Sequence, residues 1–341
     1  MATEIKKHNW KFCQVFGDRN MENVQKADII SALEFDKTGD YLAAGDNGGR
    51  LVLFNIVKNA KTQASRRKVE YNFITEFQSH EPDFDHLRSL EIEERINSIK
   101  FLPHQTSSHI LLTTNDKVIK LWKVYNSPAM TATKTNKITD ASGRILAGVN
   151  AASLHVPTIT RGEDTLLSIN KRQFAAGHTY NINSLSVCSD NEMFLTSDDL
   201  RVNLWNIEKS DTCYNIVDIK PDNMEDITQI ITCAAMHPVQ PSLFLYATSK
   251  GLVRLCDMRR SALADTSFTE FSDSGNTSFA TSMLSPAAAE MVSFICDAQF
   301  SPDGKSILTR DFFTLRLWDI RMLQRPSHAM QLHEPFRNKL L

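Results

Sequence analysis

One pattern recurs along this chain: an apolar strand, a turn, a second strand of small and apolar residues, a polar turn, and a third strand ending near an aromatic residue. Five copies are present, at residues 28–57, 95–124, 180–208, 227–259 and 293–322. The first reads DIISALEFDKTGDYLAAGDNGGRLVLFNIV, with TGD and DNGG as the turns between strands. Self-similarity of this kind marks stacked units, each too thin to bury its own apolar faces without a neighbour. Aligned on their last strands, Phe54, Trp122, Trp205, Cys256 and Trp318 share one position, which holds three of the four tryptophans. The flanking residues alternate as in a buried strand, so these indoles are packing groups rather than platforms for a cofactor or a base.

Leu317-Trp318-Asp319 contains the Trp-Asp pair of the WD repeat, and Gly177-His178 precedes the third copy where such repeats carry a Gly-His pair. The expected fold is therefore all-β, a WD-repeat β-propeller forming a single domain over residues 1–341. Spacing between copies is uneven, and the excess falls in polar connections at 58–67, 125–142 and 266–288. The stretch near 125–157, rich in Thr, Asn, Ser and Lys, reads as a protruding arm. The segments LLTT, FLTS and LYAT are expected on the innermost strands, and they carry no convergent acids, histidines or metal ligands.

At 341 residues and 42% hydrophobic composition the chain can bury a large core. A net charge of −2 argues against a general nucleic-acid binder. Six single cysteines, Cys13, Cys188, Cys213, Cys233, Cys256 and Cys296, lack zinc-type spacing and read as reduced core thiols. No window approaches a membrane span and the first residues lack a signal-peptide core, which predicts a cytoplasmic protein, in part nuclear, with no membrane partner.

No P-loop, GxSxG, GxGxxG or HExxH sequence occurs, so no catalytic residue, cofactor or metal is assigned. His80, His178 and His333 sit just before a repeat, where a histidine braces a turn. Asp198-Asp199 is a poor catalytic dyad, because adjacent residues point different ways. One of the two is expected to brace the propeller and the other to face solvent at its rim. Glu81, Asp83, Asp85, Glu91, Glu93 and Glu94 add an acidic stretch suited to basic peptide segments.

Two longer stretches, FQSHEPDFDHLRSLEIEERINSIKFLP at 77–103 and AGHTYNINSLSV at 176–187, resemble the B-type regulatory subunits of protein phosphatase 2A. The resemblance continues through ADIISALEF, TNDKVIKLWKV, SDDLRVNLWNIEKSDTCYNIVDIKPDNMEDIT, SKGLVRLCDMRRSALAD and TRDFFTLRLWDIR. It implies a seven-bladed propeller that binds a HEAT-repeat scaffold subunit through the arm and presents phosphoprotein substrates with basic or helical segments to a separate catalytic subunit. Substrate contacts then fall on Tyr180, Asp199, Glu225 and Ile227, with the aspartate anchoring an Arg or Lys. Five copies against an implied seven predict an incomplete ring. The alternatives are a WD-repeat platform of another assembly, such as a ubiquitin-ligase substrate adaptor, and a propeller enzyme with a site in its channel.

Overall fold

The computed structural model describes residues 12, 14–17, 24–58, 69–86, 88–103, 108–133, 156–175, 177–261, 263–264, 268–272 and 293–332. They form five antiparallel four-stranded sheets, or blades. Blade 1 contains β1 (Ile30–Phe35), β2 (Tyr41–Asp46), β3 (Arg50–Lys58) and β4 (Val69–Gln78), followed by a small hairpin of β5 (Asp83–Asp85) and β6 (Leu90–Ile92). Blade 2 contains β7 (Ser98–Leu102), β8 (His109–Thr114), β9 (Ile119–Thr133) and β10 (Thr158–Phe174). Blade 3 contains β11 (Ser184–Val187), β12 (Met193–Ser197), β13 (Arg201–Asn206) and β14 (Lys209–Asp218). Blade 4 contains β15 (Ile231–Met236), β16 (Leu243–Thr248), β17 (Val253–Asp257) and β18 (Phe268–Phe271). Blade 5 contains β19 (Asp297–Phe300), β20 (Ser306–Arg310), β21 (Thr314–Asp319) and β22 (His328–Gln331).

Three sequence expectations are corrected. Each blade has a fourth, outer strand that the repeat pattern does not show. Most of these strands bury little: β22 is exposed along its whole length and β14 is buried only toward its end, so their patterns do not alternate cleanly. Two stretches assigned to polar connections are therefore partly strand, since β9 continues to Thr133 and β18 spans Phe268–Phe271. LLTT, FLTS and LYAT lie on the second strands β8, β12 and β16; the first strands β1, β7, β11, β15 and β19, each in contact with the first strand of a neighbouring blade, are the innermost.

The core lies in the seams. Ala43, Leu51 and Leu53 meet Ile99, Leu111 and Trp122 between blades 1 and 2. Leu112, Leu121 and Phe174 meet Phe194 and Trp205 at the next seam. Leu195, Val202 and Leu204 then meet Phe244, Tyr246 and Cys256, and Leu245, Ala247 and Val253 meet Ile307 and Trp318. The tryptophan register is structural: Phe54, Trp122, Trp205, Cys256 and Trp318 pair with Leu42, Leu111, Phe194, Phe244 and Ile307 on the second strands. Blade 4 exchanges volume within this register, since Tyr246 stands where blade 3 has Thr196 and the small Cys256 where blade 3 has Trp205. The outward face of blade 1 leaves Leu33, Phe35 and Phe73 exposed, with Phe16 against Phe54 at 4.4 Å, and that of blade 5 leaves Leu308 and Met330 exposed.

Trp205 also anchors a polar chain. Its Nε1 donates to Thr196 Oγ1 at 2.8 Å, Thr196 and His178 Nε2 are 2.6 Å apart, and His178 Nδ1 and Asp198 Oδ2 are 2.9 Å apart. Every group finds a partner when Nδ1 carries the histidine proton and Nε2 accepts from the threonine. Gly177 is required here, because a Cβ at this position would collide with the Trp205 ring. Trp318 repeats the first link, donating to Thr309 Oγ1 at 2.9 Å. In blade 2 the corresponding Thr113 is taken by Ser79 Oγ at 2.9 Å, and the Trp122 indole N–H has no partner among the described residues. Trp205→Phe should therefore cost about 1–2 kcal/mol more than Trp122→Phe, because only the former breaks a buried hydrogen bond. Urea melts of the two variants measure this, and equal losses would contradict it.

His80 gives the fold a pH dependence. It is buried, with Nδ1 3.1 Å from Ser79 Oγ and Nε2 3.2 Å from the Val118 carbonyl. Burial, reinforced by the nearby Lys120 ammonium, pushes its pKa from 6.5 to about 4. Below pH 6.5 the unfolded chain binds a proton here that the folded chain refuses, so this stability is intact above pH 6.5 and is lost as the pH falls toward 4. Going from neutral to about pH 5 should cost the native chain roughly 2 kcal/mol more than it costs His80→Gln. Melts at both pH values test this, and identical pH dependence in the two chains would contradict it.

Candidate functional site

The turn between β12 and β13 separates its two aspartates by environment. Asp198 is fully buried, and its Oδ1 accepts from the amides of Leu200 (2.9 Å) and Arg201 (2.7 Å) while Oδ2 meets His178. Burial works to raise its pKa, but the bonds from His178 and the two amides outweigh it and hold the carboxyl below its ordinary range. Asp198 is thus an ionised brace. Asp199 is only partly buried and lies at the seam of blades 3 and 4. Its carbonyl accepts from the Ile231 amide at 2.8 Å, and its Oδ1 accepts from Asn183 Nδ2 at 3.0 Å. The same amide group donates to the Ile231 carbonyl at 3.0 Å.

Tyr180 and Ile227 approach this point along the chain, three residues before Asn183 and four before Ile231. Ile227 is exposed and follows a short 3-10 turn, Met224–Asp226, whose Asn223 side chain accepts from the Glu225 amide. Glu225 lies exposed on that turn. Among the described residues, no hydrogen bond or ion pair joins the side chains of Tyr180, Glu225 or Ile227 to Asp199. The structure therefore ties Asp199 to the seam, with Tyr180 and Ile227 on the segments that lead into it and Glu225 further out.

A second connection reaches the same loop. The Thr179 carbonyl, one residue before Tyr180, accepts from Arg88 Nη1 at 2.6 Å and from Lys117 Nζ at 2.7 Å. Arg88 sits in the β5–β6 turn, so it pins that acidic hairpin to the entry of blade 3. Lys117 is partly desolvated and faces the Arg88 charge, both of which lower its pKa, with desolvation the larger effect. The hairpin exposes Asp83, Glu91 and the ring of Phe84.

Asn183, Arg88 and Lys117 are absent from the sequence-based candidates. A signal existed for the first: Ile96-Asn97-Ser98 and Ile182-Asn183-Ser184 repeat one triplet before the first strands of blades 2 and 3. Asn97 makes the equivalent bonds, to Asp116 Oδ1 at 2.7 Å and the Ile182 carbonyl at 3.3 Å. The described cysteines are free thiols, but their expected place in the core is corrected for two, since Cys188, Cys233 and Cys256 are buried while Cys213 and Cys296 are exposed; Cys13 and His333 lie outside the described residues. No group of three His, Cys, Asp or Glu suited to a metal occurs among the described residues.

The stacked sheets and the Trp-Thr-His-Asp chain define a WD-repeat propeller. The WD domain, G-beta repeat family matches residues 170–206, the stretch holding His178, Asp198 and Trp205. Nearly the whole chain is similar to the regulatory B subunit of protein phosphatase PP2A from Schizosaccharomyces pombe, 44% identical over 337 residues, covering 97% of this chain and 70% of that protein. It is also 39% identical over 367 aligned positions to the serine/threonine-protein phosphatase 2A regulatory subunit phr2AB of Dictyostelium discoideum, covering 97% of this chain and 74% of that protein. The chain belongs to the B family of protein phosphatase 2A regulatory subunits, a family of regulators rather than of catalytic subunits.

If Arg88 holds the hairpin, Arg88→Ala should speed amide hydrogen exchange across residues 83–92 on the order of tenfold, as for an exposed element that loses its charge-assisted anchor. Unchanged exchange there would show that other contacts hold the hairpin.

Proposed function

We propose that the chain recruits substrates to protein phosphatase 2A: it docks on the scaffold subunit through the β9–β10 hairpin and presents phosphoproteins with basic or helical segments to the catalytic subunit. The observation that carries this reading is the contrast between the two aspartates. Asp198 is committed to the fold, whereas Asp199 is held in place at a seam and reaches solvent, as an acid must in order to meet an Arg or Lys. Tyr180 and Ile227 supply apolar surface on the adjoining segments, which gives a charged contact its selectivity. Glu225 adds negative charge that steers basic segments inward. The hairpin supports the docking role. Its strands stay paired from Ile119 opposite Phe174 out to Thr133 opposite Thr158, and Met130 and Ile159 are exposed near its far end. The part of the arm at 134–155 lies outside the described residues.

Asp199→Lys should weaken capture of a basic phosphoprotein on the order of tenfold or more, since it replaces attraction with repulsion. Binding to the purified scaffold and catalytic subunits should be unchanged. Fluorescence polarisation for the substrate and co-elution for the assembly measure the two, and equal loss of both would assign Asp199 to the fold.

A further inference from the structure

Comparing the five blades at one register shows what the Asn183 amide is for. In blade 1 Ser31 Oγ reaches the Ile96 carbonyl of the next blade at 2.6 Å, the same seam bond that Asn97 and Asn183 make to Ile182 and Ile231. A hydroxyl is enough for the seam. The register fixes the other equivalents: Asn97, Asn183 and Cys296 each donate a backbone N–H to the end of the neighbouring second strand, at Thr114, Ser197 and Arg310. Thr232 takes this place in blade 4, one residue before the Cys233–Ala247 pair. The turn position that holds Asp116 in blade 2 and Asp199 in blade 3 is Asn47 in blade 1, Ser249 in blade 4 and Phe312 in blade 5. Asparagine thus stands before the first strand only in the two blades that carry an acid at this turn position. Its extra hydrogen goes to that acid.

We infer that Asn183 is a positioning residue, whose amide orients the Asp199 carboxylate toward an arginine or lysine of the substrate. This rests on the proposed role of Asp199. The amide has two hydrogens, and both are used: one ties it to the Ile231 carbonyl and the other fixes Asp199 Oδ1. Because the first bond crosses the seam, the carboxylate is held in a frame built from two blades. Among the described residues Oδ2 has no partner, so it is the oxygen left for an incoming cation. Preorganising the acid spares the complex the cost of freezing its rotamer on binding. The blade 2 copy differs in one respect: Asp116 is followed by Lys117, whose ammonium interacts with it, whereas Leu200 follows Asp199.

The test is a double-mutant cycle on the full chain. The probe is a fluorescein-labelled amphipathic helical peptide with arginines at successive turns, read by polarisation. Asn183→Ser is the variant of choice, because Ser31 at the same register in blade 1 makes the seam bond with a hydroxyl alone. Expected is a loss of about fivefold in affinity from Asn183→Ser in the native chain and no loss in the Asp199→Asn background, the behaviour of two groups acting as one. Asn97→Ser, which breaks the same kind of clasp one seam away, should leave peptide affinity within about twofold. Equal losses from Asn183→Ser in both backgrounds, or an equal loss from Asn97→Ser, would overturn the inference while leaving the role of Asp199 standing. An Asp199→Asn chain that binds the peptide as well as the native one would overturn both.

Discussion

A four-stranded sheet with two apolar faces is not stable alone in water, and this constraint organises the molecule. Blades 2, 3 and 4 cover one face with the blade before and the other with the blade after, while blades 1 and 5 each cover one, so the core is a series of four seams. Trp205 shows how much one side chain does in this arrangement. Its ring fills the seam with blade 2, while its N–H starts the chain through Thr196 and His178 to Asp198. The buried carboxylate then fixes the turn between β12 and β13 by accepting two amides. Core packing is thereby coupled to the geometry of a rim turn, and Asp199, the next residue, has a defined place because Asp198 has one.

The same logic explains which blades depart from the pattern. Blade 4 has neither the indole nor the aspartate: Tyr246 and Cys256 trade volume across the register, and Arg254 lies over Phe268 at 4.5 Å while its Nε donates to Glu270 at 2.8 Å. Blade 5 keeps the Trp318 to Thr309 bond and the Asp311 turn, where Asp311 accepts from the amides of Phe313 and Thr314. The network is a device that individual blades adopt or replace, while seam burial is common to all.

Legibility in the sequence follows burial. Trp122, Trp205 and Trp318 mark third strands because strands covered on both faces leave a strong, repeated signal. Outer strands such as HAMQ and KSDTCYNIVD bury too little to alternate, so the repeats read as three-stranded. LLTT, FLTS and LYAT suggest the axis because they combine small and apolar residues without charge, but maximal burial falls on second strands with sheet on both sides. At the site, the paired aspartates are legible as one brace and one acid that reaches solvent. The Asn183 clasp is not, because its meaning lies in a contact to the next blade that no local pattern encodes; only the repeated Ile-Asn-Ser triplet points to it.

Reconstitution is the sharpest test of whether this propeller works by binding, as a regulator of a phosphatase whose chemistry resides elsewhere. The purified chain is mixed with the phosphatase 2A scaffold and catalytic subunits, resolved by size-exclusion chromatography with light scattering, and assayed for phosphate release from a basic phosphoprotein. Expected are a single complex containing all three chains, no phosphate release by the propeller alone, and faster turnover of that substrate by the complex than by the scaffold and catalytic subunits without it. Separate elution at micromolar concentrations, or hydrolysis by the isolated propeller, would contradict a regulator that acts by binding.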